Sequence, residues 1–176
     1  MCGITGILAF NSSGKKYVSK IDAATKSLQN RGPDGQGIYH YPQGAIGHRR
    51  LSIIDTSEAA SQPFTDDTER YTIVFNGEIF NYKQLRAQLE AKGFVFKSHS
   101  DTEVLLHLYI ADKEKCLHQL DGEFAFAVYD KQTEQLFIAR DRFGVKPLYY
   151  YKDDDRFVFG SEMKALLQVP QVKQNL

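Results

Sequence analysis

The chain has 176 residues, 42% hydrophobic and 25% charged, which is ordinary for a soluble globular protein and long enough for one domain with a substantial core. Its 22 basic and 22 acidic residues give a formal net charge of zero, which argues against a general nucleic-acid binder, because such a protein should carry a basic surface. Two cysteines, no signal-peptide pattern and no apolar run of membrane-spanning length predict a reducing compartment, no membrane partner and a cytoplasmic location.

Hydrophobic periodicity predicts strands and helices along the chain. Apolar runs and alternation predict strands over residues 4–10, 37–41, 45–54, 71–75, 94–97, 124–129, 135–139, 148–151 and 156–159. Helical spacing predicts helices over residues 19–30, 81–92, 101–111 and 162–167, with a short helical piece over 117–120. Ser19 and Asn81 are expected to cap helices, and residues 58–68 to form a loop. Many strands and few βαβ units predict an α+β fold of two antiparallel sheets packed face to face, with helices outside.

The first residues of the chain carry the strongest chemical signal. If Met1 is removed, Cys2 becomes the first residue, and its own α-amine lies within hydrogen-bond reach of its sulfur. Such an amine has a pKa of roughly 7.7–8.0, so it can act as a base near neutral pH, and one residue would supply both nucleophile and base. The alternative is an inert thiol at the second position, and Cys116 is expected to be structural in the same way.

The dipeptide Asn76-Gly77 directly follows the predicted strand over residues 71–75. Asn-Gly is commonly a hairpin turn, which is the structural interpretation. The functional alternative is an oxyanion hole, in which the Asn76 side-chain amide and the Gly77 backbone N–H point at the same spot.

Two charged stretches would together suit an amino acid as ligand. Arg49 and Arg50 lie in an apolar strand, where the structural interpretation is a side chain that extends to solvent or a salt bridge. The functional alternative is that one of them binds a substrate carboxylate with two parallel hydrogen bonds. Asp101 begins a predicted helix, where it would be a plain N-cap or would neutralise a substrate ammonium group. An arginine for a carboxylate and an aspartate for an ammonium describe an α-amino acid.

Several other signals exclude further classes of site. Residues 140–144 alternate in charge and are predicted to form an internal ion-pair corner. The five histidines lack metal-ligand spacing, so no metal site is expected. Neither G-x-G-x-x-G nor a P-loop pattern occurs, so no nucleotide site is expected in this chain.

Taken together, the motifs resemble one protein family over nearly the whole chain. The matching stretches are residues 1–4 (MCGI), 31–35 (RGPDG), 47–55 (GHRRLSIID), 62–63 (QP), 75–82 (FNGEIFNY), 100–103 (SDTE), 120–126 (LDGEFAF), 140–149 (RDRFGVKPLY) and 161–165 (SEMKA). This set resembles the glutaminase domain of glutamine-dependent asparagine synthetases, which are class II glutamine amidotransferases of the N-terminal-nucleophile hydrolase type. The resemblance implies a four-layer αββα sandwich.

The resemblance also implies roles for individual residues. Cys2 would be the nucleophile and its α-amine the base, with Asn76 and Gly77 as the oxyanion hole. Arg50 would hold the glutamine carboxylate, and Glu78 and Asp101 would bind the ammonium end. The full implied substrate-binding set is Arg50, Leu51, Ser52, Ile53, Ile54, Asn76, Gly77, Glu78 and Asp101.

The activity implied by the resemblance is hydrolysis of L-glutamine to L-glutamate and ammonia, with the ammonia supplied to ATP-dependent asparagine synthesis. Residues 1–176 are expected to be one glutaminase domain without a cofactor, because the synthetase signature S-G-G-L-D-S is absent. ATP and magnesium are expected only for a synthetase domain or subunit, the expected partner; a homodimer is left open. The alternatives are a non-catalytic glutamine-binding regulatory domain, an amidotransferase with a different ammonia acceptor, and an amidohydrolase acting on another amide.

Overall fold

The computed structural model describes residues 1–51 and 61–172 of the chain. In this part of the chain the strands are β1 (Gly3–Ala9), β2 (Gly35–Tyr41), β3 (Gly44–Arg50), β4 (Phe64–Thr65), β5 (Tyr71–Ile79), β6 (Gly122–Asp130), β7 (Gln135–Arg140), β8 (Tyr149–Lys152) and β9 (Arg156–Gly160). They form two sheets, with strand orders β2-β3-β1-β9-β8 and β4-β5-β6-β7, and every pairing is antiparallel.

The described helices lie on the outer faces of the two sheets. They are α1 (Ser12–Lys15), α2 (Ile21–Ser27), α3 (Tyr82–Ala91), α4 (Asp101–Asp112) and α5 (Met163–Leu166), with 3-10 turns at Val18–Lys20 and Lys113–His118. None of these helices has the length and apolar character needed to cross a membrane.

Alternating side chains in β1 and β5 build three separate apolar layers. Ile4 of β1 packs between the sheets with Val74 of β5, whereas Ile7 of β1 packs outward with Ile21 of α2. In β5, Ile73 points the other way and joins the core formed with α3 and α4. Because strand side chains alternate between faces, each sheet is covered on both sides. The expected four-layer sandwich of antiparallel sheets is therefore confirmed.

The predicted strand over residues 94–97 is wrong. The backbone N–H groups of Lys97 and Ser98 donate to the Glu103 carboxylate at 2.9 and 2.8 Å, so they do not pair with a neighbouring strand. The apolar Phe94 packs its ring beside His107, at 5.2 Å between centroids. Alternation of apolar residues here reflects packing of a loop onto α4.

The expected cap at Ser19 is wrong, whereas Asn81 is the N-cap residue of α3 but makes no capping hydrogen bond through its side chain. The Ser19 hydroxyl donates to the Lys16 carbonyl, and a 3-10 turn precedes α2. The Asn81 side chain caps no helix; it donates to the Gln119 carbonyl and accepts from the Asp121 N–H, at 2.9 and 3.1 Å. The Ser19 hydroxyl bonds a carbonyl three residues earlier, whereas the Asn81 side chain bonds partners distant in sequence.

Two further predictions need correction at loops. Within the predicted loop over 58–68, residues 64–65 form β4, and residues 58–60 lie outside the described part of the chain. The predicted ion-pair corner at 140–144 is instead built on Asp141, whose carboxylate accepts from the backbone N–H groups of Phe124, Val145 and Lys146. Backbone amides, rather than arginines, satisfy this carboxylate.

Candidate active site

Pairing of β1 with β3 brings Cys2 to the end of β3. The register joins Gly3 to Arg49, so Cys2, one residue before β1, comes opposite the end of the partner strand. The Leu51 N–H donates to the Cys2 sulfur over 3.4 Å, and the thiol lies 3.7 Å from the Leu51 carbonyl. Leu51 therefore contacts the candidate nucleophile through its backbone.

Arg31, which the sequence analysis did not place in the site, anchors the N-terminal segment. Its Nε donates to the Cys2 carbonyl over 2.8 Å, and its guanidinium reaches the Glu162 carboxylate at 3.4 Å. Met1 is 56% exposed, and its sulfur, a weak acceptor, lies 3.9 Å from Arg31 and from Lys146. Cys2 is thus held by its carbonyl, whereas the contacts of the Met1 side chain with the described residues are weak.

The Cys2 thiol needs a base in this environment. Burial raises its pKa above the ordinary value, although the Leu51 N–H, the amino terminus of the chain and the Arg50 charge each oppose that increase. A thiol with a raised pKa is mostly protonated at neutral pH and is a poor nucleophile by itself. This favours a mechanism in which a neighbouring amine accepts the proton.

The structure separates the two adjacent arginines. Arg49 is buried, and its guanidinium donates to the Gly32 carbonyl over 2.8 Å and to Gln36 Oε1 over 3.1 Å. Arg50 is half-buried, donates to Ser61 Oγ over 3.2 Å and lowers the pKa of the Cys2 thiol. Since consecutive side chains leave a strand on opposite faces, Arg49 secures a loop while Arg50 faces the site.

Asn76 and Gly77 do not form a hairpin turn. The predicted strand continues through both residues to Ile79 as β5, so the turn interpretation is wrong. Asn76 is 1% exposed and shares the inter-sheet face with Val74, and its Nδ2 has no hydrogen-bond partner in the described part of the chain. Leaving a buried donor unpaired costs roughly 1–3 kcal/mol, so this amide is suited to a ligand oxygen.

The backbone edge of β5 also presents a free donor. The Phe75 N–H donates to Gln62 Oε1 at 2.6 Å, and the Ile79 N–H donates to Asp101 Oδ2 at 3.1 Å. Alternate N–H groups of a strand point to the same edge, so the Gly77 N–H lies between these two. Within residues 1–51 and 61–172 no acceptor bonds it.

Gly77 has no room for a side chain. A Cβ at this position would lie 2.2 Å from the Glu123 carbonyl of the neighbouring strand β6. The glycine therefore permits the close approach of β5 and β6 that holds Asn76 and Gly77 within a regular strand.

Asp101 and Glu78 form a paired acidic feature beside the same edge. The N-cap of α4 is Ser100, whose hydroxyl accepts from the Thr102 N–H at 3.0 Å, so the interpretation of Asp101 as the N-cap is wrong. Burial raises the pKa of Asp101 to about 6, backbone N–H groups including that of Ile79 oppose the increase, and the Glu78 charge adds to it. A buried carboxylate whose pKa is raised by burial and by a neighbouring negative charge suits a bound cation.

Charge effects connect the separate features into one site. Two charges act on the pKa of the Cys2 thiol: the Arg50 guanidinium lowers it and the Asp101 carboxylate raises it. One positive and one negative charge therefore both act on the same sulfur. Ser52, Ile53 and Ile54, also assigned to the pocket, lie outside the described residues.

His48 and Gln62 are residues whose position the sequence did not reveal. His48 is buried, its Nε2 lies 3.2 Å from the Phe75 carbonyl, and burial lowers its pKa to about 3, so it is neutral. Both occur in the motifs quoted above, but their partner Phe75 is distant in sequence.

No group of three or more His, Cys, Asp or Glu suited to a metal occurs in the described residues, and the lack of a cofactor stays a prediction.

Comparison with known proteins gives a consistent set of relatives. A family model described as "Glutamine amidotransferase domain" matches residues 1–176. "Asparagine synthetase [glutamine-hydrolyzing] 3" of Bacillus subtilis (strain 168) is 45% identical over 175 residues, covering 98% of this chain and 28% of the relative. "Asparagine synthetase B [glutamine-hydrolyzing]" of Escherichia coli (strain K12) is 36% identical, covering 96% and 30%. The chain thus spans less than a third of these relatives.

Two solved structures share the fold. The glutamine phosphoribosylpyrophosphate (PRPP) amidotransferase from B. subtilis, complexed with ADP and GMP, has a TM-score of 0.75 at 27% identity, covering 94% of this chain and 43% of that one. A second, described as the allosteric regulatory enzyme of purine biosynthesis, has a TM-score of 0.77 at 25% identity, covering 95% and 43%. The sandwich type expected from the motifs is therefore confirmed over nearly the whole chain.

Proposed function

The chain belongs to the glutamine amidotransferase domain family, and from this membership and the site geometry we propose that it hydrolyses L-glutamine to L-glutamate and ammonia. The membership confirms the resemblance that the motifs indicated. One observation carries the proposal: the Cys2 thiol lies in the fields of both Arg50 and Asp101, the two charges that an α-amino acid would satisfy.

Substrate recognition follows from these charges. The Arg50 guanidinium would bind the α-carboxylate with two parallel hydrogen bonds, a geometry that lysine does not offer. Asp101 and Glu78 would bind the α-ammonium, which would relieve the repulsion between their carboxylates. Together the anchors would direct the side-chain carboxamide toward Cys2.

The reaction would then proceed in two steps. After Met1 is removed, the Cys2 α-amine takes the thiol proton and the sulfur attacks the carboxamide carbon. Asn76 Nδ2 and the Gly77 N–H stabilise the oxyanion, and the protonated amine gives its proton to the departing ammonia. Water then cleaves the γ-glutamyl thioester, releasing glutamate and restoring the thiol.

We further propose that the ammonia is used by a synthetase domain or subunit for ATP-dependent asparagine synthesis. Support comes from the names of the relatives, which are glutamine-hydrolysing asparagine synthetases. ATP and magnesium would serve that partner, since glutamine hydrolysis by the route above needs neither. A different acceptor stays open, because "Amidase chry2" of Gibberella zeae is also 35% identical over 95% of this chain. The cytoplasmic location stays a prediction.

Incubation of the Met1-free chain with L-glutamine tests the proposed activity. Glutamate and ammonia are expected in equal amounts, measured by enzyme-coupled assays. Glutamine binding by calorimetry without glutamate release would favour the regulatory alternative. Hydrolysis of simple amides that lack the α-amino and α-carboxyl groups, at the same rate, would favour an amidohydrolase with another substrate.

Arg50→Lys is expected to raise the KM for glutamine roughly ten- to a hundredfold, because it removes a charged hydrogen-bond fork while keeping the charge. The change in kcat should be smaller, since the carboxylate is bound equally before and during the reaction. The matched control is Arg70→Lys, just before the start of β5 and at the other end of this strand from Gly77. This change removes the two parallel hydrogen bonds from Arg70 to Asp130 instead. An unchanged KM in Arg50→Lys would remove Arg50 from the carboxylate site.

The pH dependence of kcat/KM is expected to report Asp101. Its pKa of about 6 means that it is protonated, and cannot pair with an ammonium, below pH 6. We therefore expect kcat/KM to fall about tenfold for each pH unit below 6. Because the pKa is raised, ionisation also destabilises the free protein as pH rises from 3.8 through about 6.

The control for this prediction is Asp101→Asn, which should lack the acidic limb near pH 6 and have a raised KM across the range. An acidic limb that persists unchanged in this variant would assign the titration to another group.

A further inference from the structure

We propose that Gln62 is a positioning residue that couples the oxyanion-hole donors on β5 to the ammonium anchor on α4, an inference that rests on the proposed function. Gln62 is half-buried, and its side-chain amide makes two contacts. Its Oε1 accepts from the Phe75 N–H at 2.6 Å, and its Nε2 donates to Thr102 Oγ1 at 3.2 Å. One side chain therefore bridges the edge of β5 and the first turn of α4.

Gln62 takes the place of a missing strand. β4 pairs with β5 only through Phe64 with Ile73 and Thr65 with Thr72. Beyond that pairing, the edge N–H of Phe75 would be an orphan, and buried backbone donors are almost always paired. The Gln62 side chain supplies the acceptor that a longer β4 would have supplied.

Both backbone polar groups of Phe75 are consequently bound by side chains. The N–H is bound by Gln62, and the carbonyl lies 3.2 Å from His48 Nε2. This carbonyl belongs to the peptide that joins Phe75 to Asn76. Fixing that peptide fixes the direction in which the Asn76 side chain leaves the strand.

The backbone has to orient the Asn76 amide because its Nδ2 has no protein partner among the described residues. Along the same edge of β5, the next N–H groups are those of Gly77 and Ile79. The Ile79 N–H donates to the Asp101 carboxylate. The segment from 75 to 79 is thus attached to the first turn of α4 at both ends. Gln62 provides one attachment and Asp101 the other.

This arrangement links the two halves of the site. A ligand ammonium bound by Asp101 would contact the first turn of α4. Gln62 contacts the same turn through its hydrogen bond to Thr102. Displacement of reacting groups by about 1 Å can cost on the order of 10²-fold in rate. Loss of the Gln62 bridge should therefore affect transition-state stabilisation rather than glutamine binding.

The test compares Gln62→Met, Thr102→Val and the double variant. Gln62→Met removes both hydrogen bonds at similar volume and is expected to lower kcat roughly 10- to 100-fold with KM within about threefold, because the oxyanion exists only in the transition state. Thr102→Val should lower kcat less, and the double variant should match Gln62→Met, since both changes break the same bridge.

The matched control is Gln43→Met, which removes a 2.6 Å hydrogen bond to Glu134 at the opposite end of β1 from Cys2. It should leave both kinetic constants unchanged. A second measurement is the rate at which iodoacetamide alkylates Cys2, a reaction that forms no oxyanion. This rate should be the same in Gln62→Met and in the original protein.

The outcomes separate the two proposals. If the original protein hydrolyses glutamine and Gln62→Met does so with the same kcat, the positioning role is overturned while the proposed function stands. A fall in kcat matched by equal falls in alkylation rate and folded fraction overturns it as well, because the role is then only structural. If the original Met1-free protein releases no glutamate, the proposed function fails, and the positioning role fails with it.

Discussion

Cys2→Ala is expected to reduce glutamate release by roughly 10⁴-fold or more, the scale found when a nucleophile is removed from a catalytic unit. The reason is that no second thiol can take its place. The other cysteine, Cys116, is buried in the core beside α4, and burial with nearby acidic charges raises its pKa to about 12. Glutamate release by the Met1-free protein gives kcat, and calorimetry gives the affinity for glutamine.

Glutamine binding should persist in Cys2→Ala, because the proposed anchors Arg50 and Asp101 are untouched. The matched control is Cys116→Ala, which should retain kcat per folded molecule despite a less stable core. Undiminished hydrolysis by Cys2→Ala would exclude Cys2 as the nucleophile and, with it, the N-terminal amine as the base.

Asn76→Ala is expected to lower kcat by roughly 10²–10³-fold with little change in KM, the usual loss when one oxyanion-hole donor is removed. The buried Nδ2 has no protein partner in the described residues, so its deletion breaks no hydrogen bond made by that donor. We therefore expect a large kinetic effect with only a small fall in the free energy of unfolding. Steady-state kinetics and thermal unfolding measure the two quantities.

Asn81→Ala provides the opposite pattern as a control. The Asn81 side chain bonds the Gln119 carbonyl and the Asp121 N–H, so its loss should cost about 1–2 kcal/mol of stability with kcat retained. If Asn76→Ala instead loses stability and keeps kcat, the Asn76 amide is structural and the oxyanion must be stabilised by other groups.

Local patterns determined much of the architecture. Alternation of apolar residues places Ile4 and Ile7 on opposite faces of β1, and this pattern depends only on the strand period. Helical spacing of apolar residues likewise predicted the helices, because the apolar face of a helix has to pack against a core. The position of Cys2 after Met1, together with the dispersed motifs, was enough to indicate the family.

Local patterns were misleading where hydrogen bonds to residues outside a segment set its backbone conformation. The segment 94–97 alternates like a strand, yet the Glu103 carboxylate takes two N–H groups at its end. Asn76-Gly77 has the composition of a turn, yet pairing with β6 carries β5 straight through it. In both cases hydrogen bonds to residues outside the segment outweigh its local propensity.

The sequence by itself determined the two-sheet sandwich, the family and the residue types of the candidate site. Only the tertiary structure showed that Arg49 is bound to a loop carbonyl while the Arg50 charge acts on Cys2, and that Gln62 bridges β5 to α4. The physical reason is the distance along the chain between the residues that interact. Periodicity records which face of an element is apolar, whereas a hydrogen-bond partner or a neighbouring charge depends on how distant segments meet.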